Sequence, residues 1–465
     1  MTTTFLNDIT VDRFQNMHHT NSAVKSEFIT FTALGVNLDS STDTISFLQQ
    51  KLDGKPIRAY FTTKMGQWLM AERTSFSKYR NEEILSKLLN AQLPFIFEVV
   101  ISIQYLHNQI LDGKAGVVTP ERIAENLLSA NLLKEQLYRY INQELPEWAR
   151  QKVEKSIRRC FEYVDIGQLL ELKANRYNSF IEKNITPQDI LPTSVLNDIK
   201  LDSIATFINK IKADLPVFLH QQLEVYFHRI YLTCAALFVE ITTLIGELLQ
   251  LPAKKLNPHL QFSATYGLMR QLVNDNADWL PSQLGLSTHD KAPNDGFSDL
   301  RNGTLTLPLI FFIAEHKKSF LHDILSKNKN WSVTFENHAF ETILESQALY
   351  QSIQNTRILG ELALAYLPHS ELGHYLANSC EIVHWNKFLV PCLKHSAYKK
   401  YRQTAYSKKT RHLIKTLRKQ RLKDQKKPIK TTLLLPKITS SFPLAVSHLQ
   451  QLLKTEVSRL NYFSD

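Results

Sequence analysis

Apolar residues recur at helical spacing along most of this chain, and the segments they define can be taken in order. Residues 1–45 are polar and weakly periodic, with a Ser/Thr/Asp cluster at Asp39–Asp43, and predict a short leader helix and a loop. Ala59 to Met70 predicts an apolar helix. Ala91–Asp112 is apolar around most of its girth until its last turns, so it belongs at the centre of a bundle. Glu121–Glu147 and Phe161–Arg176 predict amphipathic helices, and Asn184–Asn197, with two prolines, predicts a loop between two halves. Leu215–Leu251 predicts a pair of apolar helices or one kinked helix. Tyr266–Asp278 predicts a helix with an acidic end, followed by a long polar loop and a buried apolar run, Leu307–Ala314. Glu361–Trp385 contains a Pro368 turn and then an apolar helix, and a basic helix and the amphipathic stretch Leu444–Leu460 close the chain.

Composition agrees with this pattern. Thirteen glycines in 465 residues and the recurring Leu/Ile/Glu/Lys-rich segments point to an all-α protein, a large single helical bundle, and no parallel-sheet signature is present. Four cysteines (Cys160, Cys234, Cys380, Cys392) without CxxC or CxxxH spacing suggest neither a disulfide framework nor a zinc site. The start, MTTTFLNDIT, lacks a basic stretch followed by an apolar one, and no uninterrupted apolar run reaches the ~18 residues of a spanning helix, so a cytoplasmic protein is expected. The net charge of +11 is local. Lys394–Lys430 holds fifteen Lys/Arg against Asp424, a segment charge of +14 that leaves −3 for the rest. Its intermittent apolar stripe in a basic surround suits an anionic membrane surface or a nucleic acid.

Candidate chemistry gathers at three places. On the helix Tyr266–Asp278, Asn274 and Asp278 stand one turn apart beside Asp275, and oxygen ligands at i, i+1 and i+4 suit a hard divalent ion, which in turn suits a diphosphate. Lys55 and Arg58 flank the start of the Ala59 helix, where two cations and the helix N-terminal amides would make an anion site. At the end of the Ala91 helix, Gln104, Asn108 and Asp112 stack at i, i+4 and i+8, with Lys114 as the nearby cation.

These segments resemble, in order, the motifs of the all-α trans-isoprenyl (polyprenyl) diphosphate synthases. The second aspartate-rich region of that family, GxxxQxxDDxxD, a loop and DxxxGKxTLP, is matched by Gly267, Gln271, Asp275, Asp278, Asp299, Gly303, Thr306, Leu307 and Pro308, with Asn274 for the first Asp and Thr304 for the Lys. GKxxRP is similar to Gly54–Ala59, with Ala59 for Pro. HDDxxD falls on His107–Asp112, where only Asp112 keeps its carboxylate. GQxxD reads Gly167–Glu171, with Glu171 for Asp. KTAxLF reads Leu232–Phe238 around Thr233, and LPxS falls on Leu367–Ser370. The resemblance runs over residues 46–385, between the leader 1–45 and a basic C-terminal extension, 386–465.

What the resemblance implies is a prenyltransferase of isoprenoid biosynthesis. Magnesium would be held by Asn108 and Asp112 on one side and by Asn274, Asp275 and Asp278 on the other. Asp112, Asp275 and Asp278 would be the catalytic carboxylates. Lys55, Arg58, Gln168, Thr233 and Gln271 would bind the isoprenyl diphosphates, and a homodimer or a heterodimer with an active subunit would be the assembly. Neutral Asn ligands hold magnesium less strongly than carboxylates. Three readings stand side by side at this point: a prenyltransferase with an unusual acceptor, a non-catalytic member acting as a regulatory subunit, and an interaction protein working through its basic tail. A membrane-peripheral location follows if the tail meets lipid.

Overall fold

The computed structural model describes residues 22–34, 45, 48–49, 52, 57–71, 82–112, 119–177, 185–199, 204–279, 297–316, 346 and 348–366. Its helices are α1 (Ile57–Ala71), α2 (Glu82–Lys87), α3 (Leu93–Asp112), α4 (Pro120–Glu144), α5 (Glu147–Ala174), α6 (Thr193–Asp198), α7 (Ala205–Ala213), α8 (His220–Ile230), α9 (Ala236–Leu248), α10 (Ala253–Ala277), α11 (Ser298–Arg301), α12 (Leu307–His316) and α13 (Ala348–Ala365). Residues 22–33 are helical as well. Among the described residues the one β feature is an isolated antiparallel bridge between Arg176 and Thr304. The all-α expectation holds.

Local chemistry explains the boundaries. Thr119 caps α4 by accepting the Arg122 amide at 3.3 Å, with Pro120 at the first helical position, where its missing N–H costs nothing. The stretch expected to be a plain loop, 184–197, instead carries a 3₁₀ turn, Pro187–Asp189, and α6. The Asp189 carboxylate takes both the amide and the hydroxyl of Thr186, at 2.7 and 2.8 Å, and Pro192 leads into α6. The apolar stretch 215–251, expected as a pair of helices or one kinked helix, forms one continuous helical run, Val217–Leu248, interrupted by a π segment. A π-turn, Tyr231–Ala235, joins α8 to α9, and a second, Leu88–Gln92, joins α2 to α3. Such π-turns insert a residue into the helical ladder and often lie at functional sites.

Contrary to the expectation that no apolar run reaches spanning length, two helical stretches, Glu82–Leu111 and Val217–Leu248, are long and apolar enough to cross a membrane. Most of each is buried inside the protein, as core helices are. Their apolar girth is spent on neighbouring helices.

The described residues group into two compact units. Those within Met1–Val164 and Leu237–Leu260 form unit 1; those within Asp165–Ala236 and Gln261–Asp465 form unit 2. In unit 1, α3 packs against α1 and α4, and Phe31, Phe95 and Tyr140 make an edge-on aromatic cluster with centroids 5.3–6.0 Å apart. In unit 2, α12 packs against α8 and α13. There the buried amide of Asn276 on α10 donates to Thr356 Oγ1 at 2.9 Å and accepts from Ser352 Oγ at 2.6 Å, tying α10 to α13. The expected leader, 1–45, lies largely outside the described residues, and Lys55, Lys114, the Pro368 turn and the extension 386–465 lie wholly outside them.

Candidate functional site

Unit 2 holds the residues of the second acidic region. Arg229, on α8 two residues before the π-turn, is buried, and its guanidinium lies between two carboxylates. Nη1 donates to Glu171 Oε2 at 3.0 Å, and Nη2 stands 3.5 Å from Asp275 Oδ2. Asp275, itself 1% exposed, also accepts from the Tyr226 hydroxyl at 2.8 Å and from Gln271 Nε2 at 2.7 Å. Burial, seconded by the Asp275 charge, pushes the Tyr226 phenol well above its usual range, so it stays a neutral donor. Burial alone would lower the Arg229 pKa. The Glu171 and Asp275 charges outweigh it and raise the net value, so this guanidinium stays charged.

Glu171 extends the network to the loop after α11. Its Oε1 accepts from Arg176 Nη2 at 3.2 Å and from Thr304 Oγ1 at 3.1 Å, and Arg176 Nη1 donates to the Asn302 carbonyl at 2.7 Å. Backbone bonds close the same contact, Tyr177 N to Gly303 O at 2.8 Å and Leu305 N to Asn175 O at 2.9 Å. Gly303 has φ +66°, a left-handed conformation that a side chain would strain. The Asp299–Pro308 loop is therefore strapped to the end of α5.

Asp278 is spoken for in a different way. Its Oδ1 accepts from the Ser298 amide at 3.2 Å and the Ser298 hydroxyl at 2.8 Å, and its Oδ2 accepts from the Asp299 amide at 2.8 Å. It satisfies the first amides of α11, which otherwise lack partners. Asn274, on the same helix, is exposed. Gln168 and Thr233 are half-buried, and the Thr233 hydroxyl donates to the Arg229 carbonyl at 3.0 Å. A Cβ on Gly167 would meet Thr233 Cγ2 at 2.7 Å and Leu232 Cβ at 2.9 Å, so α5 lies hard against the π-turn where Leu232 stands.

Unit 1 holds the other candidates. Arg58 is half-buried in the first turn of α1, with its guanidinium carbon 5.8 Å from the centre of the Phe238 ring. The amides that the sequence reading assigned to an anion are already bonded: Arg58 N and Ala59 N donate to Glu98 Oε1 at 2.7 and 2.8 Å. Glu98, buried on α3, is a carboxylate cap supplied from another helix. Of the polar stack on α3, Gln104 is buried and its Nε2 donates to the Cys160 carbonyl at 3.3 Å. Asn108 is half-buried and Asp112 is the last residue of α3.

No family model and no curated protein sequence matches this chain. Solved structures do match. A polyprenyl synthase from Caulobacter crescentus CB15, solved with calcium and isoprenyl diphosphate, superposes over 81% of this chain and 96% of its own, with a TM-score of 0.55 and 16% identity. A decaprenyl diphosphate synthase from Rhodobacter capsulatus gives 0.53 and 14% over 81% and 97%, and a geranylgeranyl pyrophosphate synthetase from Pyrococcus horikoshii Ot3 gives 0.54 and 15% over 80% and 98%. The chain has the fold of the all-α trans-isoprenyl diphosphate synthases. On that fold, the motif-like positions Gly167, Glu171, Gln271, Asp275, Asp278, Gly303 and Thr304 of unit 2 lie in one connected hydrogen-bonded and packed region.

A divalent ion needs carboxylate oxygens with lone pairs turned outward. Three carboxylates of unit 2 have their oxygens turned to donors within the protein: Asp275 and Glu171 meet a guanidinium and neutral donors, and Asp278 meets two backbone amides and a hydroxyl. Among the described residues no three His, Cys, Asp or Glu side chains form a metal-holding group. Sequence reasoning passed over Arg229, Tyr226, Arg176 and Glu98. A signal was present, since Glu98 is the one charge in the apolar stretch 91–103 and Arg229 the one Lys or Arg in 215–251, and a buried charge demands a partner.

Proposed function

We propose that this protein is a divergent isoprenyl diphosphate-binding prenyltransferase of isoprenoid biosynthesis. The observation that carries the reading is the superposition, over about four-fifths of the chain, on synthases of that fold, one of them solved with isoprenyl diphosphate. In this reading Arg58, with Lys55, grips the diphosphate of the homoallylic substrate, isopentenyl diphosphate, and Gln168 and Thr233 are the substrate-side candidates in unit 2. Magnesium, the ion expected for this chemistry, is assigned to Asn108 and Asp112 rather than to unit 2. The proposed location is the cytoplasm, in keeping with four cysteines that lack disulfide-like spacing, and the basic segment 394–430 is proposed as a contact for an anionic surface.

A second reading, a non-catalytic isoprenyl diphosphate binder that serves as a regulatory subunit, rests on one observation: Asp275 and Asp278 accept hydrogen bonds from groups within the protein. One experiment separates the two. The full-length protein is incubated with magnesium and labelled isopentenyl and allylic diphosphates, with and without a candidate partner subunit. A longer prenyl product from the chain alone supports the first reading; calorimetric binding without turnover supports the second. Neither product nor binding overturns both.

A further inference from the structure

The acidic end of α10 has the ligand types and spacing of a cation site, yet its carboxylates face the protein. Asp275 Oδ2 meets Arg229 Nη2 at 3.5 Å and the Tyr226 hydroxyl at 2.8 Å, while Oδ1 meets Gln271 Nε2 at 2.7 Å. Asp278 spends both oxygens on Ser298 and Asp299. Across the network Glu171 receives Arg229, Arg176 and Thr304. We propose that Arg229 is the resident cation of unit 2, compensating Asp275 and Glu171 at once, so that this region takes no metal.

Two buried carboxylates need compensating positive charge close by, whatever its source. A guanidinium supplies a permanent charge in a planar fork that reaches both carboxylates at once, which suits a dry site. The Tyr226 ring lies 5.4 Å from the guanidinium carbon and adds its face to the same cation. A metal entering here would have to displace a buried arginine already held by Glu171 and Asp275, and pull Asp278 from the first turn of α11. Adding a carboxylate at the exposed position 274 changes neither obstacle.

This inference does not depend on the proposed activity, because metal binding is read without turnover. The full-length protein is titrated with Mn²⁺, with and without inorganic diphosphate, and free Mn²⁺ is followed by electron paramagnetic resonance. Wild type, Asn274→Asp and Asp275→Asn should show the same stoichiometry and affinities within about twofold, since none of the three offers an open site in unit 2. Arg229→Met should gain one Mn²⁺ and recover heat stability when Mn²⁺ is added. Loss of a Mn²⁺ equivalent in Asp275→Asn, or tightening by about tenfold in Asn274→Asp with Arg229 intact, overturns the proposal. Should Arg229→Met fail to fold, the other two variants still decide it. Loss of diphosphate binding with unchanged Mn²⁺ behaviour would count against the proposed function and leave this inference standing.

Discussion

Two buried carboxylates, Glu98 in unit 1 and Asp275 in unit 2, meet different kinds of donor among the described residues. Glu98 Oε1 accepts from two backbone amides at the start of α1, whose dipoles carry partial positive charge. Asp275 faces the formal charge of Arg229, which it shares with Glu171. The difference teaches what each site tolerates. A dipole cap needs an acceptor and can lose its charge at modest cost, whereas an ion network depends on every charge in it.

The largest effect should come from Arg229→Met. Removing the guanidinium leaves Glu171 and Asp275 short of compensation, and a loss of about 3–5 kcal/mol is expected in denaturant melts of the full-length protein. A loss well below that would mean the network is looser than the geometry implies. Asp278→Ala comes next. It strips two amides and a hydroxyl of their acceptor, and the expected cost is about 1–3 kcal/mol, accompanied by faster amide exchange at Ser298 and Asp299. Glu98→Gln keeps an acceptor for the α1 amides and should cost about 0.3–1 kcal/mol. If it costs as much as Arg229→Met, the contrast between dipole cap and ion network collapses.

The smallest effect concerns His228, whose Nδ1 lies 2.8 Å from the Glu224 carbonyl. Burial, the leading cause, lowers its pKa below the ordinary 6.5, so the folded state prefers the neutral ring. The unfolded chain then binds the proton more readily. Its contribution to stability is present above pH 6.5 and is lost as the pH falls towards the folded-state pKa. His228→Gln should flatten that part of the stability profile and leave the rest unchanged.

Much of the helical scaffold was legible, because apolar periodicity and helix-stop signals are local. The acidic-ended helix expected over Tyr266–Asp278, the buried run after Thr306 and the central helix through Ile103 followed from spacing, though the first runs Ala253–Ala277 and its N-terminal half was not expected. What escaped was pairing. Nothing near Asp275 in the sequence announces Arg229, which is 46 residues away and meets it only in the folded chain. The same holds for Glu98, 40 residues from the amide of Arg58 that it caps. Asp278 was read as a ligand because its type and position suited a metal. The folded loop shows the same oxygens equally suited to the amides of Ser298 and Asp299, and local sequence does not distinguish an acceptor for a metal from an acceptor for a helix end. The 184–197 stretch was missed for a related reason: its capping residues are also loop formers, and composition favoured the loop.

The central claim is that the acidic region of unit 2 is closed by its own cation. It is tested most directly by crystals of the full-length protein soaked with Mn²⁺ and inorganic diphosphate, with anomalous density read around α10. The account predicts no manganese peak within coordination distance of Asp275 or Asp278, with Arg229 still between Asp275 and Glu171. A manganese peak held by Asp275 and Asp278, with the Arg229 side chain turned away, would contradict it.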